Sequence, residues 1–164
     1  MRKLFLMLTM VLLFLVGCTS TKDLAPAEKT QMRTKNYESD YETTYRATMS
    51  VLENQGYTID NTDMSSGLIR ANIAKDEYSK GNKIASALLL GINKSGIKTY
   101  DLSSTVTKLS NISTKVRINI SLKTERKANL SSSSSSEEIN DPEIYNALLN
   151  EIQLEIARMQ AMNK

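Results

Sequence analysis

The 164-residue chain contains no histidine and a single cysteine. The first absence removes at once the usual general base, the usual activator of a nucleophile and the commonest metal ligand. The second excludes an intramolecular disulfide. Phosphate-binding glycine loops, dinucleotide fingerprints and the glycine-flanked serine of a nucleophile elbow are missing too. Turnover would have to rely on tyrosine, lysine or carboxylates alone, so the sequence predicts a protein that is not an enzyme, with no cofactor and no metal. Asp60 with Asp63, and Asp76 with Glu77, are carboxylate groupings that could in principle hold Ca²⁺. They lack the regular ligand spacing of a calcium loop and read as solvated turn acids.

An apolar run long enough to span a bilayer is also lacking, since that takes about 20 residues. Leu4 to Val16 is apolar apart from Thr9, follows the basic pair Arg2 and Lys3, and ends at Leu15-Val16-Gly17-Cys18. A basic start, a short apolar stretch and a small-residue ending are the layout of a secretory signal peptide. The four-residue ending matches the bacterial lipobox, which implies cleavage before Cys18 and acylation of its thiol. A lone thiol in an exported chain fits that fate better than an incidental cysteine would. Each buried acyl methylene contributes about 0.8 kcal/mol, so two or three acyl chains would hold the protein firmly at a membrane. We therefore expect residues 1–17 to be a cleaved signal peptide and 18–29, with Pro26, to be a lipidated terminus and flexible tether. Residues 30–164 then form one domain. Thr19, rather than aspartate, follows the cysteine; in Gram-negative lipoproteins this favours the outer membrane over the inner. The expected location is the cell envelope.

Charge of one sign is not in excess either. The formal +3 counts Arg2 and Lys3; without them 19 basic residues face 18 acidic ones, a net +1. Such a balance provides no global field to attract nucleic acid.

What is present is a regular alternation of patterns. Gln31 to Tyr37 is a weak strand candidate. Ser39 with Glu42 forms a capping box, and Tyr41, Tyr45, Thr48, Met49 and Leu52 make a helical stripe that Gly56 terminates. Tyr57 to Asn61 and Leu68 to Ala74 read as a hairpin, with Ile69, Ala71 and Ile73 on one face. Leu102 to Leu109 and Thr114 to Thr124 form the next pair, in which Val116, Ile118, Ile120 and Leu122 alternate with polar residues. Asp141-Pro142-Glu143 opens a last helix striped by Ile144, Leu148, Ile152, Ile156 and Met159. The expected fold is α+β: a two-layer sandwich with an antiparallel sheet of four to five strands and two amphipathic helices on one face, in the order β-α-β-β-β-β-α. Residues 75–100 interrupt it with an apolar insertion. The six serines from Ser131 to Ser136 predict a mobile loop over 129–140, since serine buries no apolar surface.

Several of these segments, namely Gln31-Met32-Arg33, Val51-Leu52, Gln55-Gly56-Tyr57-Thr58-Ile59, Gly67-Leu68-Ile69 and Asp141-Pro142-Glu143-Ile144-Tyr145, resemble a group of bacterial lipoproteins whose domain is similar to the helix-grip modules of the outer-membrane assembly lipoprotein BamC. The resemblance spans most of the chain after Cys18. It implies a helix-grip fold and carries no catalytic residues.

Two surfaces qualify as sites. Arg70, Lys115, Arg117 and Lys123 should share the polar side of the sheet, joined by Arg33 and Lys35. That face is either a docking surface for lipid headgroups, an acidic partner or glycan, or an ordinary solvated face. The run Ile84 to Ile92, with Leu88, Leu89, Leu90 and Ile92, is either a short helix or crossover packed on the sheet edge or a surface element that inserts into the membrane interface or contacts a partner. Function is expected to be non-catalytic: a membrane-anchored lipoprotein that binds or scaffolds another envelope protein. The rival expectation is a lipid or small apolar ligand held between helices and sheet by Tyr45, Met49 and Met159.

Overall fold

A computed structural model of the chain describes residues 25–74, 97–128 and 131–162. Cys18 and the apolar run holding Leu88, Leu89, Leu90 and Ile92 lie outside the described residues. In chain order the elements are α1 (Pro26–Met32), β1 (Thr34–Tyr37), α2 (Tyr41–Asn54), β2 (Thr58–Asp63), β3 (Leu68–Ala74), β4 (Ile97–Lys108), β5 (Thr114–Ala128), β6 (Ser131–Glu138) and α3 (Pro142–Met162). Among the described residues six strands form one antiparallel sheet, ordered β1-β5-β4-β3-β2, with β6 also pairing β5. The expected α+β class is right; the sheet has more strands than expected, and a third, short helix occupies part of the expected tether.

Period-two burial decides which side of the sheet is covered. In β5, Thr114, Val116, Ile118, Ile120, Leu122 and Thr124 are buried and the residues between them are not. Their cross-strand partners in β4 include Val106, Ser104, Leu102, Tyr100 and Lys98, all buried. Ile69, Ala71 and Ile73 of β3 continue the layer. Against this layer α2 buries Tyr45, Ala47, Thr48, Val51 and Leu52, and α3 buries Ile144, Tyr145, Leu148, Leu149, Ile152 and Ile156. Each fully buried aliphatic side chain contributes about 1.5–3 kcal/mol, which makes this shared layer the main source of stability. Asn150, Gln153 and Arg158, on the opposite side of α3, are exposed.

The ends of the helices follow from short-range chemistry. Asp40, not Ser39, caps α2: its carboxylate accepts from the Thr43 amide at 2.9 Å. Ser39 was expected to cap, but it is buried one residue earlier, where its carbonyl accepts from Thr114 Oγ1 at 2.9 Å. This bond from the Thr114 hydroxyl ties the Ser39 backbone to β5 and puts Asp40 at the first free amides. At the other end Gly56 takes φ +85°, and the Tyr57 amide donates to the Leu52 carbonyl at 3.0 Å, a Schellman ending. Asp141 accepts from the Glu143 amide at 2.9 Å and opens α3 as its sequence predicts.

The serine run is a correction. Ser131–Glu138 is a strand, paired antiparallel with Ser121–Ala128. Burial of side chains is not what places it, for Ser134, Ser135 and Ser136 are exposed. β5 continues past Thr124 and presents a row of backbone donors and acceptors, and a serine backbone satisfies that row as well as any other.

Candidate functional site

The face of the sheet turned away from the helices is the candidate site. Asp60 and Arg70 contribute from β2 and β3, Asp101 and Ser103 from β4, Asn119 and Ser121 from β5, and Ser136 and Glu138 from β6; together they line an open groove of about 630 Å³. A bulge shapes its β2 wall. The β2–β3 register shifts between Ile59 and Asn61, which leaves Asp60 as the extra residue, and its carboxylate accepts from Asn72 Nδ2 at 2.6 Å. A bulge and two acids, Asp60 and Asp63, also blunt this sheet edge against pairing with another chain.

The expected basic residues can now be located. Arg70, Lys115, Arg117 and Lys123 all alternate with buried neighbours and share the open face. They do not make it basic. Asp60, Asp63, Asp101, Glu125 and Glu138 stand among them, so acids offset the bases on this face. Lys123 Nζ pairs with Glu125 Oε1 at 2.8 Å, which holds the lysine pKa above its ordinary value. Lys35 is not on this face at all: opposite buried Val116, it turns to the helix side, reaches Asn150 Oδ1 at 2.9 Å and stacks on Tyr37.

Arg33 departs furthest from expectation. β1 and β6 lie end to end along the same side of β5, β1 on Thr114–Arg117 and β6 on Ser121–Ala128. Arg33 fills the break between them and is only 5% exposed. Its carbonyl accepts from the Ile118 amide at 2.9 Å, continuing the ladder for one more residue. Its guanidinium lies over the Tyr145 ring, 5.6 Å from the centroid, and bonds Glu138 Oε1 at 2.5 Å and Asn140 Oδ1 at 2.5 Å. Glu138 responds as a carboxylate beside a fixed cation should: the hydrogen bond from Arg33 lowers its pKa.

Tyr145 completes the junction. Fully buried on the first turn of α3, its hydroxyl accepts from the Ile120 amide at 3.2 Å and donates to the Ile139 carbonyl at 2.8 Å. The Ile139 amide returns a bond to the Ile120 carbonyl at 2.9 Å. The sheet edge is thus built from two separated chain segments, riveted by one arginine and one tyrosine. Sequence reading placed Arg33 with the solvated bases. An arginine directly between a helix and a strand, with Glu138 and Asn140 ahead of a tyrosine-bearing helix, is the signal that could have been weighed.

The helix side offers less room. Tyr45 is 3% exposed, donating its hydroxyl to the Leu68 carbonyl at 3.0 Å, and Met49 and Met159 pack against the core. Met159 also borders a shallow surface cleft with Asp40, Glu42, Thr43, Arg46 and Met162. Among the described residues no three carboxylate, cysteine or histidine groups come together as a metal site, and no helix is long and apolar enough to cross a membrane. The groove presents one guanidinium, amides, hydroxyls and carboxylates, which suits recognition of a polar or mixed-charge surface through hydrogen bonds. The chain matches no protein-family model and no curated protein sequence.

Proposed function

We propose that this protein is a membrane-anchored envelope lipoprotein whose domain, without catalysing a reaction, binds or scaffolds another envelope component. The observation that carries the reading is Leu15-Val16-Gly17-Cys18 at the end of a signal-peptide layout, in a chain with one cysteine. In a Gram-negative envelope, Thr19 favours the outer membrane, facing the periplasm, over the inner. The open sheet face supports the binding half of the reading: it is a shaped polar groove on a rigid sheet, lined by three carboxylates, one guanidinium, an amide and hydroxyls, suited to a polar partner.

Radiolabelled palmitate fed to cells that express the full chain should appear in the protein and be lost in Cys18→Ser. Crosslinking in intact cells should then recover a partner whose yield falls when Arg70→Glu and Arg117→Glu are combined. An unmodified thiol at residue 18, or retention of the first seventeen residues, would overturn the anchoring. A partner yield indifferent to the paired charge reversal would remove the groove from the binding role.

A further inference from the structure

Among the described residues the exposed large apolar side chains are Met64, Leu109, Ile112, Leu154 and Met162. All but Leu154 lie at one end of the sheet. Leu109 and Ile112 sit in the loop that joins β4 to β5. Met64 is in the adjacent β2–β3 turn, tied to β4 where the Gly67 carbonyl accepts from the Val106 amide. Met162 ends α3 close to Glu38, whose carbonyl accepts from Gln160 Nε2 at 3.2 Å. Ile112 is 77% exposed, an unusual cost for an isoleucine in water.

The loop itself is suited to leaving water. From Leu109 to Thr114 it carries no charge, and Lys108 and Lys115 flank it on either side. Three of its backbone amides are paired internally: those of Leu109 and Ser110 both donate to the Ser113 carbonyl at 3.0 Å, and that of Ile112 donates to Ser110 Oγ at 3.2 Å. Pairing of the Leu109 and Ile112 amides lowers the cost of taking these two apolar residues into a less polar medium.

We infer that the Leu109–Ser113 loop is a membrane-contact tip, with Leu109 and Ile112 entering the interfacial region of an anionic bilayer while Lys108 and Lys115 meet its phosphates. The inference rests on the lipid-anchor reading for its setting. Seven residues separate Cys18 from Pro26, a span of at most about 28 Å when fully extended. β1 places Thr34 opposite Arg117, about 10 Å along β5 from Thr114, and α1 adds about 10 Å. The acyl chains and the tip are therefore within reach of one plane. Apolar insertion flanked by cations matches a phospholipid surface better than a folded protein face, which would have to offer an apolar pocket ringed by acids.

The test uses the full chain purified from membranes, with an environment-sensitive fluorophore on Asn111→Cys, in vesicles of phosphatidylcholine and phosphatidylglycerol in equal parts. A label on Gln153→Cys, on the exposed side of α3, serves as the control. Quenching by a lipid-borne quencher is expected at residue 111 and not at 153. Combining Leu109→Ser with Ile112→Ser should abolish it without changing the far-ultraviolet circular dichroism, and either change alone should weaken vesicle contact about tenfold. A probe at 111 that stays open to a water-soluble quencher overturns the proposal. So does one shielded from water yet untouched by the lipid quencher, which would mean that a second copy covers the tip. Mass spectrometry of the same sample reports acylation of Cys18 separately, so failure of the anchor and failure of the tip are distinct results.

Discussion

Replacing Tyr145 by phenylalanine removes one oxygen atom from the junction of β1, β5 and β6 and nothing else. That oxygen serves two backbone groups, the Ile120 amide at 3.2 Å and the Ile139 carbonyl at 2.8 Å, at a residue with no exposed surface. The Ile120 amide is buried, and the Ile139 carbonyl lies on a residue that is only partly exposed. Leaving a buried polar group without its partner costs about 1–3 kcal/mol, so the two together should cost about 2–4 kcal/mol, the ring's own burial being unchanged. In a domain of this size that lowers Tm by about 10 °C. Urea unfolding followed by circular dichroism should show the loss as a lower midpoint at constant slope. Hydrogen exchange should show the Ile120 amide accelerated ahead of its neighbours. Tyr41→Phe is the internal control: its hydroxyl donates to the Met64 carbonyl in an exposed turn, where water can substitute, and the loss should stay below about 1 kcal/mol. Equal, small losses in the two variants would refute the claim that one hydroxyl closes the gap between the strand segments.

Asp40→Ala should cost about 1 kcal/mol by uncapping α2, whereas Ser39→Ala should be close to neutral; thermal melts of the two decide which residue is the cap. Gly67→Ala should prevent folding, because at φ +75° a new Cβ would overlap the Val106 carbonyl oxygen. Gly56→Ala, at φ +85° with its Cβ 3.3 Å from Ile73 Cδ1, should cost only about 1 kcal/mol, read from soluble yield and urea midpoints. Arg33 holds the Glu138 carboxyl below its ordinary value, so the ionised form is the one the fold favours. Its contribution is complete above the ordinary carboxylate value and disappears as pH falls through the lowered one. Glu138→Gln should therefore lower stability at neutral pH and flatten the acid side of the stability curve; an unchanged curve would show that the pair does not hold β6.

Periodicity made most of the core legible. The alternation from Val116 to Leu122 and the stripe from Ile144 to Ile156 each named the residues that the fold buries, because apolar burial dominates there and leaves its period in the sequence. β3 was readable to the residue for the same reason. The serine strand was not, since nothing in Ser131 to Ser136 carries a period: its place is decided by backbone groups on β5, and backbone groups are identical for every residue. Arg33 was misassigned for a related reason. Its burial depends on Tyr145 and Glu138, more than a hundred positions away, and neither the charge count nor the local pattern encodes that meeting. The open face was half legible. Alternation placed Arg70, Lys115, Arg117 and Lys123 together, but not the acids that register brings between them.

Because the two halves of one sheet margin come from opposite ends of the domain, the margin cannot close until synthesis is nearly finished. A chain stopped short of Ser131 would leave the far half of β5 with open amides and carbonyls, ready to accept any extended segment nearby. One lacking residues before Tyr37 would expose the near half. Loss of either end therefore converts a self-limited sheet into one that invites strands from other molecules, and truncation products should aggregate rather than persist as smaller folded pieces.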